Sequence, residues 1–97
     1  MAGAKAIVVD ERDSVATALA DLAAGEVVVL RVGGVDREIA LRAPIAFGHK
    51  VALMAIPAGE SVVKYGEVIG RATQAIAPGE HVHVHNLESM RGRGDAS

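Results

Sequence analysis

Ile56-Pro57-Ala58-Gly59-Glu60 recurs twenty residues further on as Ile76-Ala77-Pro78-Gly79-Glu80. Each copy supplies an apolar residue, a turn carrying proline and glycine, and the start of a fresh strand. The expected unit is a small folded hairpin used twice, since two copies are too few for a solenoid. Common turn chemistry alone could also produce such a pair. From Pro44 onward no long periodic segment occurs. Brief β-rich stretches are instead punctuated by Gly48, Gly59, Gly66, Gly70 and Gly79.

The first half fits the same picture. Ala6-Ile7-Val8-Val9 is short, apolar and β-branched, as a first strand should be. Val27-Val28-Val29-Leu30-Arg31-Val32 reads as a strand covered on both faces, and Gly33-Gly34 turns it back into Arg37-Glu38-Ile39-Ala40-Leu41 as a hairpin. One segment has helical spacing. After Asp13 or Ser14 as N-cap, Val15, Ala18, Leu19 and Leu22 fall on one helical face, and Gly25 stands as a C′ glycine. The expected fold class is therefore mainly β with one short helix of about ten residues. Residues 1–90 read as one domain, and 91–97, polar and glycine-rich, as a flexible tail or docking segment.

Composition narrows the function classes. A 97-residue chain makes a single thin core, and with only Phe47 and Tyr65 as aromatics that core must be built from Val, Ile, Leu and Ala. The absence of cysteine excludes disulfides, thiolate metal sites and a cysteine nucleophile. A net charge of −2 and so few rings argue against a nucleic-acid binder. No apolar run reaches the roughly 18–20 residues that would span a membrane, and the N-terminus lacks the apolar stretch of a signal peptide. A cytoplasmic location is expected.

The strongest chemical signal is Glu80-His81-Val82-His83-Val84-His85-Asn86. As a strand, it would place three imidazoles on one face and turn Val82 and Val84 to the core. Imidazoles two apart can share a metal ion, and imidazole is the side chain best suited to proton transfer near neutral pH. Phe47-Gly48-His49-Lys50 adds a histidine and a cation able to hold a carboxylate, and Lys64-Tyr65-Gly66-Glu67 adds a second cation beside the one phenol. Read singly, each of these tetrapeptides is also an ordinary loop or turn. There is no Gly-x-Ser-x-Gly nucleophile, no phosphate loop and no carboxylate pair set for acid–base work. Basic groups without a full catalytic set imply residues from a second chain.

Taken in order, Phe47-Gly48-His49-Lys50-Val51-Ala52-Leu53, Ile56-x-x-Gly59-Glu60, Val63-Lys64-Tyr65-Gly66-Glu67-x-Ile69-Gly70-x-Ala72-Thr73 and Gly79-Glu80-x-Val82-His83-Val84-His85-Asn86 resemble the SAF domain of altronate and galactarate dehydratases over residues 5–90. The resemblance implies a β-clip fold, a separate large catalytic subunit, and a divalent metal, often iron, shared with it. It also implies a small hydroxy-acid substrate such as a sugar acid, from which family members remove water. A two-subunit relative, sulfolactate sulfo-lyase, expels sulfite instead, and the residues after Asn86 look more like such separate small subunits. Carried over position by position, the resemblance matches His49, Lys50, Lys64, Tyr65, Gly66, His83, His85 and Asn86 without dividing them between metal and substrate. For an elimination, His83, His85 and His49 are expected as catalytic residues, with His83 and His85 as metal ligands. Lys50, Lys64, Tyr65, Gly66 and Asn86 become substrate-binding residues. His81 falls at a position that varies in the family and ranks below the other two. The competing expectations are a stand-alone module that binds a sugar acid or a protein without catalysis, and a scaffold that only stabilises the large chain.

Overall fold

The computed structural model describes residues 5–89, so the tail expected over 91–97 lies outside the described residues. Nine short strands make up the regular structure: β1 (Ala6–Ile7), β2 (Val15–Ala18), β3 (Val27–Val32), β4 (Val35–Ala40), β5 (Lys50–Ala52), β6 (Ser61–Lys64), β7 (Glu67–Ala72), β8 (His81–Val82) and β9 (Leu87–Ser89). They form an antiparallel sheet of order β1-β2-β5-β8, a β3-β4 hairpin, and a three-stranded sheet of order β6-β7-β9. The chain is mainly β, as expected, and no helix occurs among the described residues.

The four-stranded sheet is the middle layer, because its strands feed a core on each face. Ala16 and Ala18 of β2, with Val51 of β5 and the adjoining Leu53, pack with Val28, Leu30, Val32 and Ile39 of the β3–β4 hairpin. Val15, Ala52 and Val82 point the other way and pack with Val62, Ala72, Ile56 and Ile76. The β2–β5 register, Val15 opposite Ala52 and Ala16 opposite Val51, keeps each cross-strand pair on one face. Each Val or Ile fully buried in this way contributes roughly 1.5–3 kcal/mol.

This double burial explains why the expected helix over Val15–Leu22 is a strand instead. Val15, Ala16 and Ala18 are all buried. A strand apolar on both faces carries no period-two signal, so its side chains can fall on helical spacing by coincidence. Ten residues form a marginal helix, whereas pairing with β1 and β5 satisfies this backbone on both sides. Asp13 is no N-cap: its carboxylate accepts hydrogen bonds from the N–H groups of Val9, Asp10 and Gly66. The β3 expectation is corrected in the opposite sense. Only Val28, Leu30 and Val32 face the core, while Val27 and Val29 are about half exposed on the outer face of the hairpin.

The repeat is fourfold rather than twofold. Leu22-Ala23-Ala24-Gly25-Glu26 and Ile45-Ala46-Phe47-Gly48-His49 adopt the same turn as the two copies found by sequence. In each, the residue after glycine donates its N–H back across the turn, to Ala23, Ala46, Pro57 and Ala77 respectively. The four apolar leaders pair as Leu22 with Ile45 and Ile56 with Ile76. Each glycine N–H then donates to a distant carbonyl: Gly25 to Leu41, Gly48 to Ala18, Gly59 to Ala72 and Gly79 to Ala52. The chain is thus two copies of one plan, each a turn, a hairpin, a second turn and a strand of the middle sheet. Gly70, expected as turn punctuation, lies inside β7, where an added Cβ would sit 2.3 Å from the Glu88 carbonyl oxygen.

All four turn glycines lie near φ +85°, yet their surroundings differ. A Cβ at Gly59 would meet nothing within 4 Å, whereas one at Gly79 would lie 2.1 Å from the Ala40 carbonyl oxygen. Gly59→Ala is therefore expected to cost only the left-handed penalty of about 1–2 kcal/mol. Gly79→Ala should cost at least about 1–2 kcal/mol more, because backbone must move as well. Urea unfolding midpoints of the two variants check this, and equal midpoints would contradict it.

Candidate functional site: an imidazole cluster beside a lysine-lined cleft

His49 follows the glycine of the second turn, a position held by Glu26, Glu60 and Glu80 in the other three. Glu26 and Glu80 close their own turns, accepting from the N–H of Ala23 at 3.0 Å and of Ala77 at 2.6 Å. His49 has no such duty, and its ring reaches the neighbouring strand. Pairing of β5 with β8, Val51 opposite His81, delivers it there. His49 Nδ1 lies 2.9 Å from His81 Nε2 with ring centroids 5.1 Å apart and planes within 12°. The centroid distance exceeds the nitrogen separation by nearly two ring radii, so the rings lie edge to edge with the two nitrogens at hydrogen-bonding distance.

The expected straight strand of alternating histidines ends at Val82. Asn86, fully buried, stops it. Its side-chain oxygen accepts from the His83 N–H at 3.0 Å, its amide nitrogen donates to the His81 carbonyl at 2.9 Å, and its own N–H donates to the His83 carbonyl. The resulting turn corrects the expectation for Val84, which is 81% exposed rather than core-facing. It also folds His83 over the face of His49, with centroids 4.1 Å apart. The ligand nitrogens of His49, His81 and His83 all lie within 4.8 Å of one another. His85 is exposed and stands outside that group, its ring tilted against His81 at 5.3 Å. The structure therefore brings in His81, which sequence ranked low, and holds His85 at the margin.

On its other side His83 walls a cleft of about 570 Å³. Lys50, Lys64, Tyr65, Glu67 and Ser89 complete its polar lining, and Val68, Ile69, Val84 and Leu87 its apolar one. Lys50 is pulled below the usual lysine range, first by burial and then by repulsion from Lys64. An anion between the two amines would relieve both. Lys64 Nζ lies 5.0 Å from the Tyr65 ring centroid, and the Tyr65 hydroxyl donates to Thr17 Oγ1 at 3.4 Å.

Tyr65 and Gly66 form the two-residue loop of the β6–β7 hairpin at φ 55° and 77°. Tyr65 is the only non-glycine at positive φ among the described residues. Such a loop favours Asn-Gly, so tyrosine there holds its ring over the cleft at some conformational cost. Gly66 itself does not line the cleft. Its N–H donates to Asp13 at 2.8 Å, and a Cβ would lie 2.8 Å from Asp10 Oδ2. Of the residues expected at substrate, Lys50, Lys64 and Tyr65 share the cleft with His83, whereas Gly66 and Asn86 lie outside its lining and shape the turns behind it. Glu67, to which sequence assigned no role, joins them in the lining. The repeat adds an independent signal for His49, since three turns read Gly-Glu and the second in chain order reads Gly-His.

An internally doubled β domain with amines and imidazoles gathered around one cleft is the class of protein defined by this fold and site. The chain belongs to the altronate/galactarate dehydratase SAF domain family, whose sequence model matches residues 4–90. Altronate dehydratase of Bacillus subtilis (strain 168) is 43% identical over 83 residues, covering 86% of this chain and 16% of that protein. Altronate dehydratase of Escherichia coli (strain K12) is 49% identical over 78 residues, covering 79% of this chain and 15% of that one. The alpha subunit of (2R)-sulfolactate sulfo-lyase from Chromohalobacter salexigens is 36% identical over 88 residues, covering 88% of this chain and 94% of that subunit. The chain thus spans about a sixth of the altronate dehydratases and nearly all of the alpha subunit. Among the described residues no helix is long and apolar enough to cross a membrane.

Burial and then the neighbouring histidines lower the pKa of both His81 and His83 below 6.5. Above that value both rings are neutral whether the chain is folded or not. Below it the unfolded chain takes up protons that the folded chain resists, so stability falls as pH falls. Asp10, the one carboxylate pulled as low as about 2, stays ionised throughout this window. The metal-free chain is therefore expected to melt lower at about pH 5.5 than at about pH 7. Replacing both histidines with alanine should flatten that dependence, and an unchanged slope in the double variant would count against this origin.

Proposed function

We propose that this chain is the small subunit of a metal-dependent lyase that eliminates water, or sulfite, from a sugar acid or related hydroxy acid. A separate large catalytic subunit would supply the rest of the active site. The observation that carries the reading is the cleft in which Lys50 and Lys64 converge beside His83. Two amines that repel one another when the cleft holds no anion favour a carboxylate or sulfonate over a neutral ligand.

Elimination requires removal of the proton next to the carboxylate and departure of the group one carbon further on. Lys50 and Lys64 hold the carboxylate and stabilise the charge that builds on it as the proton leaves. With His83 serving as a metal ligand, the base that takes that proton would come from the large subunit. Glu67 can accept hydrogen bonds from hydroxyls along the acid, and the Tyr65 ring excludes water from one side. A divalent metal fits the donor set, since three imidazoles are good ligands for iron or zinc. His49, His81 and His83 would hold it. When bound it would act as a Lewis acid on the carboxylate or leaving group.

The need for a partner rests on what the cleft lacks and on what it exposes. Among the described residues its lining includes a single carboxylate and no serine nucleophile setting. Val84 and Val68, 81% and 50% exposed, stand on its apolar wall and suit a covering chain. Two relatives are themselves named as the alpha subunits of a sulfo-lyase.

The test is purification of the tagged chain from its native lysate with its partner, followed by assay against altronate, galactarate and sulfolactate. A stoichiometric large partner with turnover of one acid is the expected result. A chain recovered alone that still binds an acid would replace the lyase with a binding module. In the active complex, Lys50→Met should raise KM roughly 10–100-fold, the worth of one charged hydrogen bond. An unchanged KM would take Lys50 out of the acid's binding site.

A further inference from the structure

We propose that His49, His81 and His83 form a binding site for a first-row divalent cation that this chain carries by itself, with His81 rather than His85 as the third ligand. The inference concerns the site of the lyase reading and rests on that reading only for the use of the ion, not for its binding.

Distances carry the argument. Two imidazole nitrogens bound to one ion at about 2.1 Å each can be no further apart than about 4.2 Å. The three nitrogens here all lie within 4.8 Å, so the widest pair exceeds that limit by at most about 0.6 Å, and reaching the roughly 3.4 Å of adjacent tetrahedral ligands takes up to about 1.4 Å of closure. His49 Nδ1 and His81 Nε2, 2.9 Å apart, already stand at the spacing of adjacent ligands around one ion. His83 stacks on His49 with planes within 13° and has to swing about its side-chain bonds to turn a nitrogen inward. That is a rotamer change and leaves the backbone in place.

The backbone is already anchored for this purpose. Val82, fully buried between His81 and His83, fixes their spacing, and the Asn86 side chain ties the His83 N–H to the His81 carbonyl. His49 is held from the other side by hydrogen bonds of its own turn, including its carbonyl to the Ala18 N–H. Nothing in this set belongs to another chain. Three ligands leave further positions open, and His83, which also lines the lysine-bearing cleft, joins the cluster to it.

Ligand type sets the class of ion. Three imidazoles without a carboxylate suit Zn²⁺, Fe²⁺, Co²⁺ or Ni²⁺ and are poor hosts for Mg²⁺ or Ca²⁺, which take oxygen ligands. His85, exposed and tilted away, lies outside the group whose nitrogens converge.

The experiment uses the full-length chain, stripped with a chelator and titrated with Co²⁺ followed by visible absorption, then with Zn²⁺ by calorimetry. One ion per chain, bound at about micromolar affinity or tighter, is expected, with Mg²⁺ giving no heat. His81→Ala should weaken Zn²⁺ binding at least roughly tenfold, and His85→Ala should leave it within about twofold. Circular dichroism of each variant separates a lost ligand from a lost fold. Absence of binding by the folded wild-type chain overturns the proposal, as does undiminished binding by folded His81→Ala. Turnover by the large-subunit complex with no ion on this chain would remove the metal site and leave the lyase reading standing. Ion binding without any lyase activity in that complex would do the reverse.

Discussion

Four peptide N–H groups, those of Gly25, Gly48, Gly59 and Gly79, hold this molecule together in a way its side chains alone do not. Those of Gly25 and Gly59 close the base of the hairpin that follows their turn, at Leu41 and Ala72, and those of Gly48 and Gly79 reach the middle sheet at Ala18 and Ala52. In each case that residue's own N–H donates back to the residue after the glycine. Two-stranded hairpins of this length are marginal in water. Here both are pinned at their base, so their apolar faces stay against the middle sheet. The positive φ of each glycine is what aims its N–H outward from the turn. Nineteen buried apolar side chains then complete a core in two halves, one on each face of a sheet that neither hairpin could build alone.

Much of this was legible in the sequence, in proportion to how local its cause was. The β3–β4 hairpin was readable because Gly33-Gly34 is a two-residue loop between apolar runs, and its chemistry lies within four residues. The turns at Gly59 and Gly79 were readable for the same reason. The helix expected over Val15–Leu22 was not a failure of propensity. It arose because β2 is buried on both faces, a fact set by residues 28–53 on one side and 52–82 on the other. The first two turn copies went unseen because both lack the proline of the later two, and the second also has His49 where the others have glutamate. Within the site, His49, His83, Lys50, Lys64 and Tyr65 were picked out in advance. The demotion of His81 followed from a judgement about variability, and only the β5–β8 register places its nitrogen against His49.

The site occupies the point where the two copies differ. In three turns a glutamate follows the glycine, and in two of these it demonstrably caps its own backbone. A histidine in the fourth gives up that stabilising contact, and Asp21, from elsewhere in the chain, holds the turn instead by accepting from the Phe47 N–H. The freed ring is what the cluster is built on. A similar trade is seen at Tyr65, which takes a glycine-like conformation to hang its ring over the cleft. Local stability has been spent at two places, and both face the same space.

Chain order adds a consequence for how the molecule assembles. The two hairpins close over loops of two residues and belong to the fastest events in folding, on the order of microseconds. The middle sheet joins β2 to β5 and β5 to β8 across more than thirty residues in the first pairing and about thirty in the second. Such distant pairings are slow because the chain must be closed over long loops before any contact rewards it. His49 and His81 sit on the two sides of the last of these pairings, so the imidazoles meet only as the sheet is completed. A ring-to-ring signal between them, or an ion held by both, would therefore report that the whole chain has reached its native topology. A partly folded chain would carry both hairpins and no site.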